Sequence, residues 1–329
     1  MPVNLRGRSF LTLMDFTREE IRYLLDLAHT LKENKRAGIK GASLEGKNIV
    51  LLFEKSSTRT RCAFEVAAFD EGAHITFLDQ ASSQMNKKES LEDTARVLGR
   101  YYDGIEYRGF EQSVVELLAK HSGVPVFNGL TDTDHPTQIL ADLMTMEEHL
   151  DKSLKKCKVV YVGDTRNNMS LAWTIAAAKI GFEYIGLGPA ELFPEHELIA
   201  RRNAEAAGVG GSVRFTDNPD DAAGADVVYT DVWVSMGDED KLEEHVKWLT
   251  PYRVDLGLFK KIANPDGIFM HCLPAFHDFE TTFAQKAYEM GFDIREVTDE
   301  VFRSPFSVVY DEAENRLHTI KAVMVAALK

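Results

Sequence analysis

The chain has 329 residues, 44% hydrophobic and 27% charged, which is long for one core and suits two domains of ordinary size. Its formal net charge of −14 argues against a nonspecific binder of nucleic acid or of an anionic membrane, because such proteins concentrate positive charge on one face. No run approaches the ~18 to 20 apolar residues of a membrane span, and the first residues, MPVNLR, have neither the apolar core of a secretory signal nor the Arg- and Ser-rich length of a mitochondrial presequence, so a cytoplasmic protein is expected.

From residue 48 onward, short apolar runs alternate with helical ones. Strands are expected over 49–53, 75–78, 104–107 and 124–127, with helices from Thr58, through 89–102 and after Glu111. That alternation predicts parallel strands joined by helical crossovers. After a long helical stretch over 136–150, KVVYVGD (158–164), YIGLG (184–188), VRFTD (213–217), DVVYTDV (226–232) and IFMHCLP (268–274) read as five more strands. The expected fold class is α/β, with two domains, each a mostly parallel sheet flanked by helices. The boundary is placed near residue 150, with the polar 151–156 as the connection and the closing run 314–328 as a helix returning to the first domain. The expected domains are therefore 1–150 with 314–329, and 151–313. Two domains usually leave a cleft, and in open parallel sheets ligands sit beyond the carboxyl ends of the strands. The polar clusters occupy those ends.

After the first strand, Ser57, Thr58 and Thr60 lie beside Arg59 and Arg61 at the start of a helical pattern. Backbone N–H groups and the helix dipole favour an anion there, so hydroxyls and guanidinium could wrap a tetrahedral anion; a richly capped surface helix fits the same spacing. No G-x-x-x-x-G-K-[ST] is present, which disfavours a nucleoside triphosphate. EYRGF puts Arg108 directly after a strand, and DTDHPTQ puts His135 and Gln138 about a helix start, with Pro136 well suited to the first turn. Each alone is ordinary, a capping histidine or a solvated glutamine. Together they could hold and polarise a carbonyl oxygen.

In the second half, VGDTRNNMS (162–170) follows a strand where a dinucleotide fingerprint would lie, yet G-x-G-x-x-G is absent and hydride chemistry is disfavoured. Arg166, Asn167 and Asn168 offer polar side chains or simply a turn. TDVWVSMGDE (230–239) ends a strand with Asp231, able to pair with an amine or to cap a helix, followed by Ser235, Met236 and Gly237 in a loop. HCLPAFHD (271–278) interrupts an apolar strand at its carboxyl end. A Cys272–His271 nucleophile is conceivable, but adjacent strand residues point to opposite faces. The three cysteines, Cys62, Cys157 and Cys272, show no C-x-x-C spacing and are expected to be free thiols, not a disulfide framework or a zinc site.

Taken in order, STRTR, HPTQ, DVWVSMG, HCLPAFHD and ENRLHTIKAVMV resemble the aspartate/ornithine carbamoyltransferase family, and its ornithine branch through DVWVSMG with HCLP. The likeness runs from near residue 8 to the end. It implies a carbamoyl-phosphate domain and an ornithine domain, a homotrimer or a multiple of trimers, and no metal or organic cofactor. Carried over by position, Ser57, Thr58, Arg59 and Thr60 would hold the phosphate, and Arg108, His135 and Gln138 the carbonyl and amide end of carbamoyl phosphate. Gln84 would reach into a neighbouring subunit's site. Asn168, Asp231, Ser235 and the backbone of Met236 would hold the α-amino and α-carboxylate groups of ornithine, with Cys272, Leu273 and Arg316 around the reacting atoms. Arg108, His135, Asp231 and Cys272 carry the implied catalytic roles.

The residue types suit that chemistry. A neutral δ-amine attacks the carbamoyl carbon while Arg108, His135 and Thr60 stabilise the oxyanion, and Arg59 with the helix start stabilises the leaving phosphate. No protein nucleophile is needed. An alkyl ammonium has a pKa of about 10.4, so nearby cations and partial burial must favour the neutral amine. The sequence departs from the pattern at Gln80 and Asn86, where proline and glycine are expected, which bears on Gln84. It departs again at Ser170, where glycine is usual. The alternatives are a carbamoyltransferase for another amine such as putrescine, against which the Asp231 and Ser235-Met236-Gly237 set counts, and a nonenzymatic anion-binding relative, which would have lost a ligand.

Overall fold

In a computed structural model, which describes residues 3–79, 81, 82, 85, 88–234 and 242–329, the chain divides into two units: Met1–Met144 with Glu314–Lys329, and Thr145–Ala313. In the first unit α1 (Arg18–Arg36) opens on a reciprocal cap, in which Thr17 Oγ1 accepts from the Glu20 N–H and the Glu20 carboxylate accepts from the Thr17 N–H. Then follow β1 (Asn48–Phe53), α2 (Thr58–Asp70), β2 (His74–Asp79), α3 (Leu91–Tyr101), β3 (Gly104–Arg108), α4 (Gln112–Ser122), β4 (Val126–Leu130) and α5 (Pro136–His149). The sheet order is β2-β1-β3-β4, with every pair parallel.

β1 is buried at every position but the first, as a strand covered on both faces should be. Val50, Leu52, Ile105, Tyr107, Val115, Leu118 and Val126 form one core on this sheet. Burying each such aliphatic side chain contributes roughly 1.5–3 kcal/mol before conformational entropy is subtracted. β4 begins two residues later than the sequence pattern suggests. Pro125 has no N–H for the ladder, although its carbonyl accepts from the Ile105 N–H. Register then aligns Phe53 with Asp79 and Arg108 at the same sheet end.

The second unit contains β5 (Lys158–Val162), α6 (Asn168–Ile180), β6 (Glu183–Leu187), α7 (His196–Gly208), β7 (Ser212–Thr216), β8 (Ala225–Thr230), α8 (Leu242–Leu249), α9 (Leu256–Ile262), β9 (Ala263–His271), α10 (Thr282–Glu289) and α11 (Asp299–Phe302). Its sheet order is β7-β6-β5-β8-β9, again all parallel. Val160, Val162, Ile185, Leu187, Val228 and Phe269 pack with Phe259, Ile262 and Val301 in its core. β9 starts earlier than the apolar run, at Ala263, because a register shift against β8 lets Asn264, Pro265, Asp266 and Gly267 bulge out. An edge strand tolerates such turn-forming residues.

The last helix, α12 (Val309–Leu328), packs on the helices of the first unit. Lys32 Nζ donates to Asn315 Oδ1 at 2.7 Å, and Lys321 Nζ pairs with Asp70 Oδ2 at 2.6 Å. No helix among the described residues is long and apolar enough to cross a membrane.

Candidate active site

In the first unit the chain leaves β1 at Phe53 and enters α2 through Ser57, whose Oγ caps the helix by accepting from the Thr60 N–H at 3.2 Å. That cap turns Thr60 inward, where it is buried. Two guanidiniums converge on its hydroxyl: Arg108 Nη1 at 3.3 Å, from the end of β3, and Arg316 Nη2 at 3.0 Å, from α12. Arg108 also donates to the Gly129 carbonyl at 3.4 Å. Arg316 Nη1 donates to Gln138 Oε1 at 2.6 Å, and Gln138 Nε2 to Asp142 Oδ1 at 2.8 Å, one helical turn on. Thus the buried Thr60, Gln138 and Arg316 and the half-buried Arg108 form one network, with Ser57, Thr58 and Arg59 at the helix start that feeds it.

His135 immediately precedes α5 and belongs to the same cluster. Its Nδ1 lies 3.4 Å from Thr137 Oγ1 and its Nε2 3.5 Å from Arg316 Nη1, both long for hydrogen bonds, so neither ring nitrogen is firmly committed. Burial, and then the charges of Arg316, Arg108 and Arg59, hold the ring well below the usual histidine range. The imidazole is neutral, and one nitrogen can donate to an oxygen without adding charge.

Glu106 was missed in the sequence. It lies two residues before Arg108 in a strand that is otherwise apolar up to that arginine, is fully buried, and among the described residues has no hydrogen-bond partner on either carboxyl oxygen. Burial raises its pKa well above the ordinary value, against the opposing pull of Arg108 and Arg316. A Cβ at Gly129 would sit 1.9 Å from Glu106 Oε1, so a larger residue there would force this carboxyl to shift. A lone acid inside GIEYRGF was the available signal.

The second unit's candidates gather where β5, β8 and β9 end. Asn167 caps α6, its Oδ1 accepting from the Met169 N–H at 2.7 Å, and Asn168 is the first helical residue. Asp231 follows β8. Its Oδ1 accepts from the Val232 N–H at 2.8 Å and from the Cys272 thiol at 3.3 Å. Burial raises the Asp231 pKa, partly offset by His271.

The turn bearing Cys272 and Leu273 is held by carboxyls that the sequence did not flag. Glu312 Oε2 accepts from the His271 N–H at 2.8 Å. His271 Nδ1 accepts from the Leu273 N–H at 2.9 Å, which places the ring proton on Nε2, aimed at Glu296 Oε1 3.0 Å away. The same oxygen accepts from the Phe276 N–H at 2.7 Å, so Glu296 grips both ends of the turn. Burial pushes the Glu296 carboxyl up to about 8. Leu273 takes a left-handed φ of 58° inside this clamp. Both nitrogens of His271 are thus engaged away from a general-base role toward Cys272.

Asp231, His271 and Cys272 could together hold a metal ion by proximity, but His271 Nδ1 would first have to release the Leu273 N–H. At His277, Asp278 and Asp299, the Arg303 guanidinium already pairs with Asp299 at 2.7 Å. Gln80, Gln84 and Asn86, and likewise Ser235, Met236 and Gly237, lie outside the described residues.

Residues 8–148 match the carbamoyl-P binding domain of the aspartate/ornithine carbamoyltransferases, and residues 155–327 match their Asp/Orn binding domain. A catabolic ornithine carbamoyltransferase of Clostridium perfringens is 61% identical over 329 residues, covering 99% of each chain. That of Bacillus licheniformis is 57% identical over 328 residues, covering 99% of this chain and 98% of its own. The solved ornithine carbamoyltransferase of Pyrococcus furiosus superposes with a TM-score of 0.90 at 42% identity, covering 99% of each chain. Both family domains in order, with this identity over the full length, show that the chain belongs to the aspartate/ornithine carbamoyltransferase family, among its ornithine carbamoyltransferases.

Proposed function

We propose that the protein transfers the carbamoyl group of carbamoyl phosphate to the δ-amine of L-ornithine, giving L-citrulline and phosphate. The observation that carries this reading is the buried convergence of Arg108 and Arg316 on Thr60 at the start of α2, beside a neutral His135. A helix N-terminus with Ser57, Thr58, Arg59 and Thr60 suits a phosphate dianion. Arg108, His135 and Gln138 then suit the carbonyl and amide of the carbamoyl end.

Attack by the amine nitrogen forms the C–N bond as the C–O bond to phosphate breaks, and the departing phosphate can accept the proton that the amine sheds. Negative charge grows first on the carbonyl oxygen and then on phosphate, and fixed cations serve both. The same groups serve the reverse direction. In the second unit Asn168 and Asp231, with Ser235 and Met236, would hold the amino-acid end. Cys272 lines that pocket as a thiol donating to Asp231, with Leu273 beside it; the amine itself is the nucleophile. The relatives named catabolic support a role in arginine breakdown. This reading takes the protein as a cytoplasmic homotrimer or multiple of trimers, with Gln84 serving a neighbouring chain and no metal or organic cofactor required.

The test is citrulline formation by the purified protein with carbamoyl phosphate and a panel of ornithine, putrescine, acetylornithine and aspartate. Ornithine should be preferred over each of the others by at least about a hundredfold in kcat/KM, since a buried unpaired polar site rejects an incomplete substrate. Equal or better use of putrescine would replace the acceptor assignment, and no product with any amine would refute the transfer.

A further inference from the structure

We propose that Ser170 and Tyr184 form a positioning device for the amino-acid site, a directed pair of hydroxyl bonds that pins the Thr165 carbonyl and so sets where Asn168 presents its side chain. The inference rests on the ornithine reading above.

Ser170 Oγ lies 2.8 Å from the Thr165 carbonyl oxygen and 2.7 Å from the Tyr184 hydroxyl, and all three residues are fully buried. A serine has one proton to give, and a carbonyl can only accept. The Ser170 hydroxyl therefore donates to Thr165, and Tyr184 must donate to Ser170. The order is fixed: from Tyr184 on β6, through Ser170 in the first turn of α6, to the backbone of the loop between β5 and α6.

That loop is held on its other side as well. Thr165 Oγ1 donates to the Leu192 carbonyl at 2.6 Å, and Cβ atoms built at Gly186 and Gly188 would come within 3.2 and 3.3 Å of the Thr165 methyl. The Tyr184 ring meets Phe215 edge-on at 6.0 Å, which keeps it from swinging away. Downstream, the Asn167 N–H donates to the Asp164 carbonyl at 3.1 Å, and Asn168 follows at the helix start. A shift of the Thr165 carbonyl is therefore passed to Asn168 within three residues. Ser170 does not replace the glycine of the resembled pattern idly, since its hydroxyl is the middle link of this chain.

Ser170→Ala removes the middle link, leaving the Thr165 carbonyl without that donor and the Tyr184 hydroxyl without its acceptor. Citrulline kinetics with both substrates varied should show the KM for ornithine rising about five- to twentyfold, the range of one buried hydrogen bond. The KM for carbamoyl phosphate should stay within about twofold. Tyr184→Phe leaves the Ser170–Thr165 bond in place and should raise the ornithine KM by only about two- to threefold, in the same direction. The double variant should do no more than Ser170→Ala alone, because the two residues act in series. An unchanged ornithine KM in Ser170→Ala, equal rises in both KM values, or a lowered Tm with both KM values intact would overturn the proposal and leave the pair as packing. A wild-type protein that makes no citrulline would refute the functional reading instead.

Discussion

The two candidate clusters occupy equivalent places, the carboxyl ends of parallel strands, yet they are built with opposite charge. In the first unit Arg59, Arg108 and Arg316 gather around the start of α2; burial, and then their charges, hold His135 neutral, while burial raises Glu106 against their pull. In the second, Asp231, Glu296 and Glu312 surround the ends of β8 and β9, and burial raises Asp231 and Glu296 toward their neutral forms. A dianion and an ammonium-bearing amino acid call for that opposition. The manner of support differs too. The cations are tied side chain to side chain across long sequence separations, Arg316 to Thr60 over 256 residues. The carboxyls mostly accept from backbone N–H groups close in space to one turn.

If the first cluster works through cationic geometry, Arg316→Ala should have the largest effect. We expect citrulline formation to fall by about two to four decades, since hydrogen bonds from a charged group to Thr60 and Gln138 are worth about 1.5–3 kcal/mol each. Arg316→Lys should recover little, because a point charge cannot span two acceptors. Circular dichroism should show both variants folded; turnover within tenfold of wild type in Arg316→Ala would mark the residue as structural.

Asp231→Asn tests the second cluster alone. The KM for ornithine should rise by about one to two decades, the worth of a charge-assisted hydrogen bond, while that for carbamoyl phosphate holds. Equal changes in both would erase the division of labour.

The thiol comes next. Serine at position 272 can donate to Asp231 as the thiol does, so Cys272→Ser should keep turnover within about tenfold. Complete loss in a folded variant would point to a covalent role and contradict the amine as nucleophile.

The smallest effect concerns the clamp. Glu296→Gln keeps an acceptor for His271 and Phe276, so activity near neutral pH should change little. Folding raises the Glu296 pKa from its ordinary 4.5 to about 8, so the folded protein binds this proton more tightly than the unfolded chain does. Wild-type stability relative to the Gln variant should therefore fall as pH rises from about 4.5 and level off above about 8. Thermal denaturation of both proteins across that window checks it, and a difference that does not vary with pH would deny the raised carboxyl.

Much of the architecture was legible because buried parallel strands read as apolar runs and three of the crossover helices start at a side-chain cap, Ser57, Ser90 or Asn167. Boundaries slipped where a local signal competed: Pro125 delayed β4, and the bulge at Asn264 to Gly267 hid the start of β9. In the site, residues at strand ends announced themselves, Arg108, His135 and Asp231 among them. Glu106, Glu296 and Glu312 did not. The groups that Glu296 and Glu312 hold come from distant positions in the chain, Glu106 meets only neighbouring charges, and the sequence alone shows neither arrangement. Ser170 was visible as a departure, but only the positions of Thr165 and Tyr184 show what its hydroxyl does.

Binding of the phosphate donor is assigned to the cation cluster and not to the acidic one. Calorimetric titration with phosphonoacetamide, a stable mimic of carbamoyl phosphate, into wild type, Arg316→Ala and Asp231→Asn measures it most directly. No detectable binding to Arg316→Ala is expected, with a Kd for Asp231→Asn within about twofold of wild type. Retained binding to Arg316→Ala, or an equal weakening in Asp231→Asn, would contradict that assignment.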